Sequence, residues 1–395
     1  MQSRSRVFST NPDRGKPDPP RGRALAQTPP VLEMTAMHRY EIRGAGPWDE
    51  EQVLALARHL NTVNLPNDRG HVRRLLELSE ASFSGAESDP TRRKYVFVLS
   101  DLEQSRAVGT STIVGQLGRR DAPYIYLDVL SEEKYSGALD RHFHHTVLRL
   151  GFSYNGPTEL AGLVVDPSYR GAPERLGRLI SYVRFLYIAA HKDWFREELL
   201  AELLPPLEPD GTSHLWEAFG RHFTDMSYAE ADLLSSENKG FIRDLFPSGT
   251  VYASLLPQEA QGVIGVVGKQ TQGVEKMLRR VGFRYAERID PFDGGPHFVA
   301  QRDEVSLVRD LRCAHFSGST VELEGASYIV GRELAEPPYF RAVPTRSLQW
   351  DRDQVALSAE TVAHLGLSSG DPCLVLPLKL RTSSVDDSRR PDYGN

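Results

Sequence analysis

The run Val164-Val165-Asp166-Pro167-Ser168-Tyr169-Arg170-Gly171, followed by Leu176-Gly177-Arg178-Leu179-Ile180, combines residue types suited to holding a phosphorylated ligand. An apolar strand ends at a proline-marked turn, a short loop carries Arg and Gly, and an amphipathic helix begins. Such a joint aims several backbone N–H groups at one point, at the positive end of a helix dipole, which suits a diphosphate. The chain has no G-x-G-x-x-G with a later ribose-binding acid and no G-x-x-x-x-G-K-[ST], so neither common nucleotide fingerprint applies. Arg170, Arg175 and Arg178 could supply a local basic patch. An Arg-Gly loop can also simply turn the chain.

A second group of candidates lies in Phe292-Asp293-Gly294-Gly295-Pro296-His297. This reads as a tight glycine loop in which Asp293 could face a guanidinium or an amine, the natural partners of a carboxylate, or could brace the turn. His297 is a candidate acid–base group, and His222 lies near a helix end. Lys269, as an ammonium, could protonate a thiolate or bind a carboxylate. His142 and His144 would share a strand face as metal ligands, but without a third ligand at suitable spacing they read, with His145, as an exposed polar patch, and no metal is expected. Arg92-Arg93-Lys94 reads as a solvated approach to a strand.

The elements that must position these residues follow from periodicity. Tyr40–Arg43, Tyr95–Leu99, Ala107–Val114, Tyr124–Val129 and Leu160–Val165 read as strands, the last buried on both faces. Helices are expected at Trp48–Leu60 and His71–Ala81. Leu176, Leu179, Ile180, Val183, Leu186 and Tyr187 mark one face of a longer one. Gln272–Val281 carries Val274, Met277, Leu278 and Val281 at helical spacing and stops at Gly282, which suits a left-handed cap before the strand Phe283-Arg284-Tyr285. Residues 190–246 read as largely helical, broken by Pro205-Pro206. From Glu304 short alternating segments take over.

At 395 residues the chain can bury a full core and is long enough for two domains. Its 40% hydrophobic and 25% charged residues are ordinary for a globular protein, and a net charge of −6 offers no nucleic-acid footprint. Cys313 and Cys373 lie far apart without metal spacing, for which a reducing cytoplasm is the economical explanation. No apolar run approaches membrane-spanning length. Residues 1–36, with six prolines and five arginines, read as disordered, with translation starting at Met34 or Met37.

Strand–pyrophosphate loop–helix, then helix–Gly-Phe–strand, resembles the order of GNAT-type N-acyltransferases, whose loop binds acyl-coenzyme A. From about Tyr40 to Leu380 the chain more closely resembles bacterial arginine N-succinyltransferases. The residues carrying this are Tyr95-Val96-Phe97-Val98-Leu99, Leu163-Val164-Val165-Asp166-Pro167, Gly177-Arg178-Leu179-Ile180-Ser181 with Arg184-Phe185, Gln258-Glu259-Ala260-Gln261, Gly282-Phe283-Arg284-Tyr285 and Phe292-Asp293-Gly294-Gly295-Pro296. The resemblance implies an α/β (α+β) GNAT-like domain over 37–303 with a helical insertion at about 190–246. A small β-rich domain over 304–380 and a flexible tail over 381–395 complete the expected organisation.

It also implies succinyl-CoA as co-substrate, arginine or a related amine as acceptor, a role in arginine catabolism, no nucleic-acid or membrane partner, and a homo-oligomer or a pairing with a related chain. The acyl-CoA would lie along Leu163 and Val165, with its diphosphate near Arg170, Gly171, Gly177 and Arg178. The family's proton-donor histidine falls in Val-His-Pro-Gln-Thr, where this chain has Val267-Gly268-Lys269-Gln270-Thr271, so Gly268 holds the donor position and Lys269 and His297 are the substitutes at hand. The family's Thr-Ser-Leu-Pro appears as Val63-Asn64-Leu65-Pro66, making Asn64 a substrate-contact candidate beside Asp293. A non-catalytic acyl-CoA-binding subunit and an acyltransferase with another acceptor are the competing expectations.

Overall fold

Every residue from Tyr95 to Asp101 is buried, and this apolar stretch forms the middle of a long sheet in the computed structural model. The structure describes residues 38–59, 65, 67–120, 122–235, 238–320 and 327–378. The expected N-terminal disorder, the start at Met34 or Met37, the C-terminal tail and Asn64 fall outside these residues.

Ten strands precede residue 302: β1 (Tyr40–Gly44), β2 (Lys94–Asp101), β3 (Arg106–Val114), β4 (Tyr124–Ser136), β5 (Arg141–Ser153), β6 (Thr158–Val165), β7 (Glu198–Glu202), β8 (Val251–Tyr252), β9 (Arg284–Ile289) and β10 (Pro296–Gln301). The later strands are β11 (Arg312–Thr320), β12 (Tyr328–Glu333), β13 (Phe340–Thr345), β14 (Leu348–Asp351), β15 (Gln354–Ser358) and β16 (Pro372–Pro377). The helices are α1 (Glu50–Ala57), α2 (Arg69–Phe83), α3 (Leu176–Ala190), α4 (Arg221–Thr224), α5 (Tyr228–Ser235), α6 (Gly240–Leu245), α7 (Gln258–Gln261), α8 (Gln272–Val281), α9 (Ser306–Asp310) and α10 (Ala359–Leu365).

The strands hydrogen-bond in the order β14-β15-β11-β16-β12-β13-β1-β2-β3-β6-β7-β10-β9-β4-β5-β8. The mixed α/β architecture is the one expected. β1 joins β13 on one side and β2 on the other, so the late strands continue the ladder of the early ones. α3 packs its apolar face on the sheet: Leu179, Ile180, Val183 and Leu186 are buried with Phe97, Leu160 and Leu199 in one cluster. α8 runs over Gln272–Val281 as its spacing predicts and is capped by Gly282 at φ 115°.

One expectation needs correction. Glu198–Glu202, inside the stretch read as helical, is strand β7. Leu, Ala and Glu are good helix formers, but β7 pairs along its length with β10, and Leu199 and Leu200 are fully buried. Tertiary pairing overrides the local preference.

β7 also creates the feature on which the site depends. It runs parallel to β6, yet their ladder has two partner pairs, Thr158 with Leu199 and Glu159 with Leu200. Beyond them β6 continues to Val165 while β7 stays with β10, so the two parallel strands part like a fork.

Candidate active site

The fork opens onto a cavity of about 260 Å³. β6 contributes Glu159 to Leu163, β7 and the residues after it contribute Ala201 to Leu204, and Tyr228 and Asp232 come from α5. The turn between β9 and β10 adds Asp290, Phe292 and Asp293. In that turn the Asp290 Oδ1 accepts from the Phe292 N–H at 2.7 Å and the Asp293 Oδ1 accepts from the Gly295 N–H at 2.7 Å. Both carboxylates are thereby held rigid while remaining on the cavity wall.

Five carboxylates share this cavity: Glu159, Glu202, Asp232, Asp290 and Asp293. Burial, with Glu159 and Asp290 as close like charges, holds the Glu202 carboxyl well above the usual carboxylate range. Burial, then Asp290, does the same to Asp293. Burial, with Asp290 nearby, pushes Asp232 up to about 7. Burial raises Asp290 too, against the opposing pull of Lys239. The cations are differently grouped. Burial depresses Lys94, which is attracted by Glu159 and repelled by Arg119 and Lys239. Arg184 is buried beneath the fork, with Nη2 donating to Ser181 Oγ at 2.8 Å, and burial pushes its pKa down to about 9. Lys94 therefore lines the site and is not a merely solvated approach to a strand.

His297 is the second residue of β10 and is fully buried, directly opposite Glu202 in the ladder. Its Nδ1 lies 2.9 Å from the Tyr124 hydroxyl, and its Nε2 lies 3.5 Å from Glu202 Oε1. Nε2 has no hydrogen bond among the described residues. Burial, with Lys239 and Arg288 nearby, pushes the imidazole pKa down to about 3, so the ring is neutral at physiological pH. One ligand atom each from Glu202, Asp290 and His297 lie within 4.8 Å of one another, the grouping among the described residues with metal-ligand spacing. Two carboxylates and an imidazole could hold a divalent ion. The two carboxylates could equally accept the N–H groups of an ammonium.

The other sequence-predicted residues divide. Leu163 lines the cavity, and Val165 lies just beyond it at the end of β6, its carbonyl accepting from Arg170 Nε at 3.2 Å. Gly171 is exposed at φ 86°, a left-handed turn that a Cβ would strain, and α3 starts five residues on. Leu176 opens α3; the Arg178 and Leu179 N–H groups bond the Arg175 carbonyl, at 2.8 and 3.2 Å, and the Leu176 and Gly177 amides lead the helix. Gly177 lies near Val165, whose Cγ2 would be 3.7 Å from an added Cβ. Arg178 donates from Nη2 to the Leu378 carbonyl and lies 5.3 Å from the Tyr182 ring centre, so part of it ties α3 to the chain's last strand region. Asp293 is in the cavity, whereas Lys269 is exposed and off its wall.

Gly268 is buried beside Leu204, its N–H donating to that carbonyl at 2.9 Å. A Cβ there would lie 2.5 Å from the Pro205 carbonyl oxygen. The position is closed by backbone and admits no side chain. Glu202, Asp290, Asp232 and Tyr124 were missed by sequence reasoning. Asp290 had a signal, three residues before Asp293; Glu202 had none once its strand was read as helix. The exposed His142 pairs with Glu133 at 2.7 Å, apart from the cavity.

Comparison with known proteins agrees with this architecture. The family described as arginine N-succinyltransferase beta subunit matches residues 40–307. Arginine N-succinyltransferase of Yersinia pestis (strain Pestoides F) is 32% identical over 324 residues, covering 80% of this chain and 91% of the relative. Arginine N-succinyltransferase subunit beta of Pseudomonas aeruginosa is 30% identical over 333 residues, covering 84% of this chain and 96% of its own. The solved structure of arginine/ornithine succinyltransferase subunit AI from Pseudomonas aeruginosa superposes with a TM-score of 0.74 at 29% identity, covering 87% of this chain and 99% of that one. Among the described residues no helix is long and apolar enough to cross a membrane. With residues 40–307 matched by the family and a relative 32% identical over 80% of its length, this chain belongs to the arginine N-succinyltransferase family.

Proposed function

We propose that the protein transfers the succinyl group of succinyl-CoA to the α-amine of arginine; the names of its relatives describe, for them, succinyl transfer to a nitrogen of arginine. The observation that carries this is the fork between β6 and β7, opening onto a cavity lined by five carboxylates. Backbone of β6 left unpaired by the fork, around Leu163 and Val165, offers the hydrogen bonds a pantetheine arm needs. Gly171, Gly177 and the first turn of α3 would hold the diphosphate, with Arg170 and the free part of Arg178 as counter-charges.

The acceptor's chemistry suits the rest of the cavity. Burial, with Asp290 as a nearby like charge, makes Asp232 and Asp293 hold their protons more tightly, and a guanidinium or ammonium relieves that repulsion. Lys94 and Arg119, also on the wall, suit a carboxylate. An amino acid with a cationic side chain carries both signs. The amine then attacks the thioester carbonyl, the oxyanion accepts backbone N–H groups, and the thiolate departs with a proton. Thiolates leave readily, so the closed position at Gly268 does not forbid turnover.

A second reading is a subunit that binds acyl-CoA and turns over only beside a partner chain. The absence of room for any side chain at Gly268 favours it, as does the subunit description of the Pseudomonas relatives. Thiol release from succinyl-CoA and acetyl-CoA, measured with arginine, ornithine and a panel of other amines, separates the two. Arginine-dependent release by the chain alone supports transfer; thioester binding with silence across the panel supports the subunit.

A further inference from the structure

Amine attack requires that a proton leave the acceptor's ammonium, and a group must receive it. The residue at 268 cannot, because backbone fills the space beside it. Lys269 is exposed and off the cavity wall. Glu202 is better placed: it ends β7 where the fork opens, and its carboxylate is on the cavity wall with a quarter of its side-chain surface accessible. Behind it stands an imidazole with nothing else to do at Nε2.

We propose, on the reading that this chain transfers an acyl group to an amine, that Glu202 takes the proton from the acceptor ammonium and that His297 positions it. The carboxylate is the catalytic residue; the imidazole acts through it. Tyr124 is kept protonated by burial and is 2.9 Å from His297 Nδ1, so its hydroxyl can donate there and leave the ring proton on Nε2. That N–H is then directed at Glu202 Oε1, 3.5 Å away, and a hydrogen bond closes there when the carboxylate is ionised. The other charged groups facing Glu202 are Glu159 of β6, Asp290 and Asp293 of the turn and Lys239 before α6. The carboxylates among them raise the basicity of Glu202 and narrow its gap to an amine, which makes the transfer less uphill.

In the step, an ammonium N–H bond breaks as an O–H bond forms on Glu202. The freed nitrogen pair makes the C–N bond to the thioester carbon, and collapse of the tetrahedral adduct breaks the C–S bond. The second proton on nitrogen leaves with the sulfur as thiol, and Glu202 returns its proton to solvent.

The test is the pH–rate profile of arginine-dependent thiol release for the wild type, Glu202→Gln, Glu202→Asp, His297→Gln and His297→Ala, with succinyl-CoA binding as the folding control. Glu202→Gln should lose about 10²–10⁴-fold in kcat and the acidic limb of kcat/KM, while thioester affinity is kept. Glu202→Asp should keep the limb at a lower rate and serves if the Gln variant does not fold. His297→Gln, which retains an N–H near Nε2, should preserve the profile, and His297→Ala should move the limb. A Glu202→Gln enzyme with an unchanged limb, or with a raised arginine KM at unchanged kcat, overturns the inference alone. Silence of the wild type with every amine takes down the proposed function and this inference with it.

Discussion

A Cβ on Gly268 would sit 2.5 Å from the Pro205 oxygen and 2.9 Å from that of Leu204, and both atoms belong to backbone that cannot swing aside. Gly268→His should therefore leave turnover no higher and lower stability by at least about 1–3 kcal/mol through overpacking, seen as an earlier urea midpoint. Asp232 gives a residue-level pH prediction. Its carboxyl, at about 7 in the fold against 3.8 as the reference, keeps a proton between those values that the unfolded chain gives up. Stability from this group is thus lost as pH rises from about 4 through 7. Relative to wild type, Asp232→Asn should gain thermal midpoint from pH 5 to about pH 7 and level off above it; a constant difference would show that Asp232 is not proton-holding. His297 works in the opposite sense, weakening the fold as pH falls from 6.5 towards 3.

At the scale of elements, the loop after β6 is where an anion should be held. Arg170 is exposed and its guanidinium donates to the Val165 carbonyl at the loop's edge, so it can turn to a phosphate without disturbing the core. Arg170→Ala should weaken CoA binding about 10-fold, read by calorimetry, with the thermal midpoint unchanged. Those elements were legible because their signals are local: α3 and α8 carry helical apolar spacing, and Asp166-Pro167 followed by Arg170-Gly171 marks the joint. β7 was not legible, because Glu198-Leu199-Leu200-Ala201-Glu202 is helix-favouring by composition and becomes a strand only by pairing with β10. That one misreading hid Glu202, and with it the partner that gives His297 its meaning. His297 itself was a candidate in the sequence, but its neutrality comes from burial, which spacing along a chain does not express.

Across the whole molecule, residues from five separate stretches converge on one cavity: Lys94, Glu159, Glu202, Asp232 and the Asp290–Asp293 turn. No segment carries the site alone, so the family's overall likeness tells more about the fold than about any single residue here. The raised pKa values of Asp232 and Asp293 predict that a cation entering the cavity drives protons out, since its charge lowers them again. Arginine binding near pH 7 should release protons, giving a calorimetric enthalpy that changes with the ionisation heat of the buffer; a buffer-independent enthalpy would place arginine elsewhere. The central claim, transfer of a succinyl group to the α-nitrogen of arginine, is tested most directly by mass spectrometry of arginine after incubation with succinyl-CoA and this chain alone. The account predicts arginine heavier by one succinyl group, carried on the α-nitrogen with the guanidine intact. Unmodified arginine in the presence of bound, unconsumed thioester would contradict it.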